Sequence, residues 1–295
     1  MRHLQASLLC DAHAILGEGP VWHDNALWFV DIEGMRLHRL DVGRTALESV
    51  QLTERVGCAV PCGNGRFLAG LQSGLHWIDW PVGTATSMAS PEKHLPTNRF
   101  NDGKCDPSGR LLAGTMSMKG DKRAGTLYVV DLDGSVRPLV ANVTISNGLE
   151  WSPDGRTLYY IDTPTRTIDA FDYSPKHAEL SNRRTILTIP TEQGWPDGMC
   201  SDAEGNLWIA FWNGSAVRCY NPNTGEQLAV VEVPASNVTS CCFGGWGLKE
   251  LYITTARGGR PEDAERFSHA GGVFYCKPGV VGRPVNLCKI RGEGV

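Results

Sequence analysis

The stretch Ala26-Leu-Trp-Phe-Val-Asp31 is the first of six similar stretches from which the fold can be predicted. Short apolar runs of this kind, bounded by glycine, proline, asparagine and aspartate, are typical of β-strands joined by tight turns. In the five later copies a polar residue precedes the apolar run: Arg66-Phe-Leu-Ala-Gly70, Arg110-Leu-Leu-Ala-Gly114, Thr157-Leu-Tyr-Tyr-Ile-Asp162, Asn206-Leu-Trp-Ile-Ala210 and Glu250-Leu-Tyr-Ile-Thr254. The sequence therefore predicts an all-β protein.

The copies return at intervals of 40, 44, 47, 49 and 44 residues, measured between Leu27, Phe67, Leu111, Leu158, Leu207 and Leu251. This spacing is the length of a four-stranded propeller blade. It predicts a six-bladed β-propeller around a central channel, as a single domain spanning residues 1–295, with the stretch 7–15 adding a strand to the last blade. A pair of β-sandwiches is the alternative, although a sandwich has no reason to repeat at this period.

The composition is that of a globular protein with a sizeable core, since 41% of the 295 residues are hydrophobic and 20% are charged. A net charge of −4 without a basic stripe predicts no nucleic-acid partner. The sequence has no apolar run long enough for a signal peptide or a membrane span, so we expect a cytoplasmic protein without membrane contact. The ten scattered cysteines lack C-x-x-C spacing and are expected to be reduced core thiols.

Four oxygen-bearing side chains precede four of the repeats at nearly equal offsets. Glu18, Asn101, Asn147 and Asp197 stand 9, 10, 11 and 10 residues ahead of Leu27, Leu111, Leu158 and Leu207. Equal offsets on the innermost strands of successive blades direct these side chains to one spot on the axis. Two carboxylates and two amides crowded together would repel or remain unpaired without a hard cation or ordered water. We therefore expect one divalent ion there, either Ca²⁺, Zn²⁺, Mn²⁺ or Mg²⁺.

Each of these motifs has a simpler interpretation when taken alone. Asn-Gly and Asp-Gly are ordinary turn sequences, and Gly17-Glu-Gly-Pro20 could be a loop. Hairpin turns, however, have no need of Glu18 or of a proline before Asp197. The matched offsets of the four motifs favour a common site.

The chain resembles the SMP-30/gluconolactonase/regucalcin (LRE-like) family from about Leu16 to Gly272. The resemblance is carried by Gly17-Glu-Gly-Pro-Val-Trp22, Phe29-Val-Asp-Ile32, Asn98-Arg-Phe-Asn-Asp-Gly-Lys104, Ala113-Gly-Thr-Met116, Ile145-Ser-Asn-Gly-Leu149, Tyr159-Tyr-Ile-Asp162, Asp169-Ala-Phe-Asp-Tyr173, Ser181-Asn-Arg-Arg184, Pro196-Asp-Gly-Met-Cys200 and Thr239-Ser-Cys-Cys-Phe-Gly-Gly245. It implies a six-bladed propeller that hydrolyses sugar lactones with one bound divalent cation. It also implies that Glu18, Asn147 and Asp197 ligate the metal, that Arg99 and Asn101 position the substrate, and that Asp197 is the catalytic acid/base.

One stretch departs from the family. Animal members carry an acidic residue that contacts the sugar shortly after the segment matching Ala113-Gly-Thr-Met116, whereas this chain reads Ser117-Met-Lys-Gly120. Lys119 is thus a candidate substrate-binding residue for an anionic lactone, sulfonated or carboxylated, and a solvated surface lysine is the other possibility.

The predicted activity is metal-dependent hydrolysis of a sugar (aldono-) lactone, with the metal as Lewis acid and Asp197 as general base. The alternatives are a lactonase for an anionic sugar lactone, a noncatalytic regucalcin-like calcium-binding regulatory protein, a propeller scaffold for protein partners and an organophosphate or ester hydrolase. Arg99 beside Asn101 favours an enzyme, because holding a cation does not require an arginine. We expect a small-molecule sugar lactone as partner and a monomer or homodimer.

Overall fold

A computed structural model of the chain describes residues 1–63, 65–258 and 265–291. Its strands, numbered in chain order, form six sheets that correspond to the six repeats. Blade I consists of β3 (Gly17–His23), β4 (Ala26–Asp31), β5 (Arg36–Asp41) and β6 (Ala46–Gln51). Blade II consists of β7 (Val56–Gly63), β8 (Arg66–Leu71), β9 (Leu75–Asp79) and β10 (Thr84–Ala89). Blade III consists of β11 (Asn98–Cys105), β12 (Leu111–Ser117), β13 (Gly125–Val130) and β14 (Val136–Val143).

The second half of the chain forms the other three blades. Blade IV consists of β15 (Ser146–Trp151), β16 (Thr157–Asp162), β17 (Thr167–Ser174) and β18 (Glu179–Thr188). Blade V consists of β19 (Trp195–Ser201), β20 (Leu207–Trp212), β21 (Ala216–Tyr220) and β22 (Gln227–Glu232), with β1 (Arg2–Gln5). Blade VI consists of β23 (Asn237–Gly244), β24 (Glu250–Ala256) and β25 (Val273–Cys276), with β2 (Ser7–Cys10). The predicted six-bladed, all-β propeller is confirmed.

The ring closes through both its inner strands and its N-terminus. Each innermost strand contacts the innermost strand of the next blade, and β23 contacts β3. The expected closing strand is β2, which pairs antiparallel with β25. One feature was not anticipated: β1 pairs parallel with β22 and adds a fifth strand to blade V. The N-terminal segment therefore covers the outer edges of two neighbouring blades, which protects them from edge pairing.

The six repeat markers lie on the second strand of each blade, and all are buried, with exposures of 0–2%. Their neighbours pack across the blade interfaces. Trp28 of blade I, for example, packs against Phe67 of blade II, with ring centroids 4.7 Å apart. Burial of apolar side chains between blades is the main force that holds the ring together, at roughly 1.5–3 kcal/mol for each large side chain.

The C-terminal segment 277–291 crosses one end of the channel. Gly282 forms an isolated bridge with Asp202, the Arg283 guanidinium donates to the carbonyl of Trp151, and the Asn286 amide donates to the carbonyl of Cys105. Trp151 and Cys105 are the last residues of innermost strands β15 and β11. The segment thus covers the end of the channel at which the inner strands finish, and the other end holds the predicted site residues.

The predicted state of the cysteines and the predicted lack of a membrane span can be compared with the structure. All ten cysteines are free thiols, and seven of them are buried, as predicted. Across the described ranges, none of the helices is both long and apolar enough to cross a membrane.

Candidate metal and substrate site

The predicted ligands lie where the inner strands are irregular. In blades I, III, IV and V the pairing of the first two strands shifts between Glu18 and Val21, between Phe100 and Gly103, between Asn147 and Leu149, and between Pro196 and Met199. A β-bulge of this kind re-aims side chains and often borders a functional site. The Asn-Gly and Asp-Gly motifs are therefore bulges inside strands and not the hairpin turns that their sequences resemble.

Glycine follows Asn147 and Asp197 because neighbouring inner strands approach closely at these two bulges. A Cβ atom on Gly148 would lie 2.8 Å from the carbonyl oxygen of Asp197, and one on Gly198 would lie 2.2 Å from Oγ of Ser240. Neither position has room for a side chain. The requirement is steric crowding on the channel axis, so any larger residue would push the ligand strands apart.

The aspartates at the ends of β4 and β16 form hydrogen bonds with the backbone just before two of the strands that carry predicted ligands. The Asp31 carboxylate accepts the backbone N–H groups of Ile15 and Leu16, each at 2.9 Å, just ahead of Glu18. Asp162 accepts the N–H groups of Thr144 and Ile145 in the same way, just ahead of Asn147. The repeated aspartate thus fixes where the loop enters the inner strand.

A chain of hydrogen bonds links the polar residues around the channel. Nη1 of Arg99 donates to Oδ1 of Asn101 at 2.6 Å, and Nδ2 of Asn101 donates to Oδ1 of Asn147 at 2.8 Å. Nδ2 of Asn147 then donates to Oγ1 of Thr163, which donates to the Pro196 carbonyl next to Asp197. The chain fixes the rotamers of both amides, as a preorganised site requires.

Two buried carboxylates face this chain. Glu18 and Asp197 are each 6% exposed. Burial, together with the negative charge of Asp102, raises the pKa of Glu18 to about 8. Burial and the charges of Glu18 and Asp102 also raise the pKa of Asp197 well above its ordinary value. Without a positive partner, the two carboxylates therefore resist ionising together.

Arg99 supplies a positive charge beside them. The side chain is buried, and burial lowers its pKa to about 10, against the opposing effect of nearby acidic groups. The guanidinium remains charged at neutral pH. Only Nη1 is engaged, on Asn101 and on the Phe100 carbonyl, and Nε and Nη2 donate to no other described residue. These donors remain for a substrate.

These residues form the floor of a cavity of about 390 Å³, a size suited to a small molecule. Glu18, Arg99, Asn101, Asn147, Thr163 and Asp197 are its polar lining residues. The rest of the lining is apolar: Leu16, Ile32, Met116, Ile145, Pro164, Trp195 and Trp212. The structure thus brings together five of the six predicted site residues.

The donor set fits a hard cation. Two carboxylates and an amide oxygen are ligands that Ca²⁺, Mg²⁺ and Mn²⁺ prefer. Oδ1 of Asn147 accepts only one hydrogen bond and keeps a lone pair, and no described residue donates to the Asp197 carboxylate. Among the described residues no group of three His, Cys, Asp or Glu side chains could hold a metal, so any ion at this position depends on the amide.

Lys119 is placed differently from the other predicted residues. Its side chain is exposed and does not line the cavity, and the nearby Asp121 carboxylate accepts a hydrogen bond from Ser117 at 2.8 Å. Of the two alternatives for Lys119, this exposed position favours the solvated surface lysine, and contact with an anionic substrate stays a prediction from the sequence. The matched offsets did not indicate Thr163, Trp195 or Trp212, because these residues lie at other positions of the repeat. Trp195 could have been noticed as the aromatic residue two positions before Asp197.

A second, smaller cavity of about 70 Å³ lies beyond the floor, towards the C-terminal segment. Lys104 and Glu150 line it and form an ion pair at 3.0 Å, and Asp102 lines it as well. The adjacent residues Asn101 and Asp102 therefore face different cavities. The bulge separates their directions, so that only the amide belongs to the outer site.

Known proteins share both the sequence and the architecture. Residues 16–257 match the family described as SMP-30/Gluconolactonase/LRE-like region. Regucalcin of Xenopus laevis is 40% identical over 267 residues, covering 88% of this chain and 89% of that protein. Regucalcin of Agrobacterium tumefaciens, described as a calcium-binding protein, superimposes with a TM-score of 0.93 at 28% identity, covering 99% of this chain and 100% of that one.

A gluconolactonase of Xanthomonas campestris has the same fold, with a TM-score of 0.73 at 22% identity over 91% of this chain and 87% of that one. The family match covers most of the chain, and the regucalcin relative agrees with it in identity and coverage. The chain therefore belongs to the SMP-30/gluconolactonase/LRE-like family.

Proposed function

We propose that this protein hydrolyses a sugar lactone to the corresponding sugar acid, with one divalent cation held by Glu18, Asn147 and Asp197. The observation that carries the proposal is the convergence of two buried carboxylates, an amide oxygen and an arginine with unused donors on one cavity floor. Membership of a family that includes gluconolactonases supports it.

A divalent cation bound there would act as a Lewis acid and favour the ionised form of the carboxylates. Asp197 accepts a proton from water as the water oxygen bonds to the lactone carbonyl carbon. Arg99 donates to the developing oxyanion through Nε and Nη2. The bond from that carbon to the ring oxygen then breaks, and Asp197 returns the proton to the ring oxygen. One lactone and one water give one hydroxy acid.

Asp197 suits the role of base better than the other lining groups. The Glu18 carboxylate already accepts the N–H of Gly19 at 2.8 Å, whereas no described residue donates to the Asp197 carboxylate. The two asparagines cannot accept a proton at neutral pH. Asp197 thus keeps free oxygen lone pairs, and it lines the same cavity as Arg99.

The cavity also favours an enzyme over a protein that only holds a cation. A cation store needs ligands and a polar rim, and it has no use for an arginine with unused donors or for an apolar wall. Trp195 and Trp212 are direct cross-strand partners in β19 and β20 and both line the cavity. Their rings offer flat surfaces to the C–H face of a small ring compound.

Chelation tests the proposal. The protein is freed of metal, its fold is checked by far-UV circular dichroism, and lactone hydrolysis is followed by proton release on a panel of pentono- and hexonolactones. Activity should vanish on chelation and return with an added divalent cation, while the β-sheet signal is unchanged. Full lactonase activity in the metal-free protein, or no hydrolysis of any lactone by the reloaded protein, would refute it.

A further inference from the structure

The cavity changes character sharply from its floor to its wall. The charged and amide side chains that line it all lie on innermost strands. The one hydroxyl in the described lining belongs to Thr163, which is hydrogen-bonded to Asn147 on such a strand. The wall that surrounds this floor consists of apolar side chains from blades I, III, IV and V. Met116 lies close to the floor, because it is the register partner of Arg99 and also bridges to Ile145. A bound molecule that extends outward from the floor therefore meets the apolar wall about one side-chain length from the polar groups.

The floor itself has little hydrogen-bonding capacity left. Both N–H groups of the Asn101 amide are used, on the Ser146 carbonyl and on Asn147. The Thr163 hydroxyl donates to the Pro196 carbonyl. What remains is Nε and Nη2 of Arg99, one N–H group of the Asn147 amide, a lone pair on each amide oxygen, and the carboxylate oxygens, which the proposed cation shares. All of these groups lie on the floor, so they can serve a lactone carbonyl and the hydroxyls beside it but not the far end of the molecule.

Two of the cations near the wall are engaged by other groups. The Arg166 guanidinium lies 3.7 Å above the Trp195 ring, and the Arg55 guanidinium is paired with Glu33 at 2.9 Å. Lys119 is exposed and does not line the cavity. Among the described residues, the only side-chain donors on the wall are the indole N–H groups of Trp195 and Trp212, and no cation lines it.

We infer that the substrate is a neutral lactone whose end remote from the carbonyl is apolar, as in a terminal-deoxy sugar lactone that carries a methyl group. The inference rests on the proposed lactonase function and specifies its substrate class. A hydroxymethyl group packed against the aliphatic and thioether part of the wall, formed by Leu16, Ile32, Met116 and Ile145, would lose its hydration without gaining a partner, which disfavours it by roughly tenfold or more. A carboxylate or sulfonate there is disfavoured more strongly, because a buried charge needs a partner.

Matched substrates test this inference without any mutation. L-rhamnono-γ-lactone and L-mannono-γ-lactone differ only in methyl against hydroxymethyl, and D-fucono-γ-lactone and D-galactono-γ-lactone form a second pair. The expected kcat/KM, measured by proton release with the cation-loaded protein, is roughly tenfold higher or more for the methyl compound in each pair. Two series of different stereochemistry separate the effect of the terminal group from that of the ring.

Two variants locate the effect. Met116→Gln places an amide in the wall at nearly constant volume and should reduce the preference for the methyl compound severalfold. Met118→Gln makes the same change at an exposed position outside the cavity and should leave the preference unchanged. Equal or higher kcat/KM for the hydroxymethyl compounds in both pairs overturns this inference alone. No hydrolysis of any of the four lactones counts against the proposed function and therefore against the inference as well.

Discussion

Replacement of Asp197 by asparagine is the sharpest test of the proposed chemistry. The change keeps the size of the side chain and one oxygen that can ligate a cation, but it removes the proton acceptor and one negative charge. Of the remaining polar residues on the floor, Glu18 alone is a carboxylate, and it already accepts a hydrogen bond from Gly19. Within the part of the chain that the structure describes, no neighbour is therefore free to take over as base.

The expected loss in kcat is that of a general base, about 100-fold to 10,000-fold, which corresponds to about 3–5 kcal/mol of barrier. The metal-free variant should be at least as stable as the metal-free wild type. In the wild type, burial and the nearby charges of Glu18 and Asp102 raise the pKa of Asp197 and oppose its ionisation. The neutral amide removes this repulsion. A folded but inactive variant is thus the predicted outcome.

The assay compares kcat at saturating cation with the melting temperature of the metal-free protein. Asp121→Asn is the matched control, since the Asp121 carboxylate is exposed, bonded to Ser117 and outside the cavity. It should retain nearly full kcat, and Asn147→Asp should lose less than Asp197→Asn. If Asp197→Asn keeps more than about a tenth of kcat, a loss below about 1.4 kcal/mol, Asp197 is not the base.

Three further predictions follow from other parts of the structure. Arg99→Lys should lower kcat/KM by roughly tenfold to a hundredfold, because an ammonium cannot donate to Asn101 and to the oxyanion in the same geometry; unchanged kinetics would contradict its role. Lys119→Ala should leave kcat/KM unchanged on both neutral and anionic lactones, since the side chain is exposed outside the cavity, and a selective loss on the anionic compounds would restore the anionic-lactone alternative. Burial lowers the pKa of His38 from 6.5 to about 4, so the free energy of unfolding is highest above pH 6.5 and falls as the pH drops towards 4. The free energy of unfolding, measured with urea, should be about 2 kcal/mol lower at about pH 5 than at about pH 7. The His38→Gln variant should not show this loss, whereas the exposed-site control His13→Gln should.

Much of the candidate site could be predicted because it repeats with the fold. Glu18, Asn101, Asn147 and Asp197 stand at matched offsets from the buried markers, and equal offsets on equivalent strands must place side chains at equal height. The offsets could not predict the direction in which each side chain points. Asn101 faces the outer cavity and its neighbour Asp102 the inner one, since the bulge between Phe100 and Gly103 turns them apart.

Residues that come together from unrelated positions could not be predicted at all. Trp195 and Trp212 meet only because β19 and β20 pair in one register, and Lys119 lies away from the cavity although it follows the strand that holds Met116. Similarly, no local pattern indicated that β1 pairs with blade V or that residues 277–291 cover the far end of the channel.

Sequence patterns were enough to predict the six-bladed architecture and the ring of polar residues, because hydrophobic period and turn chemistry are local properties that repeat in every blade. Which donors remain free could be read only from the folded structure, since Asn101 and Thr163 use all of theirs on Asn147 and on neighbouring strands, and Asn147 uses one of its two N–H groups on Thr163. The folded structure also shows that apolar side chains surround the floor. Hydrogen-bond satisfaction and the register of neighbouring strands depend on contacts across blades, and a linear pattern does not contain them.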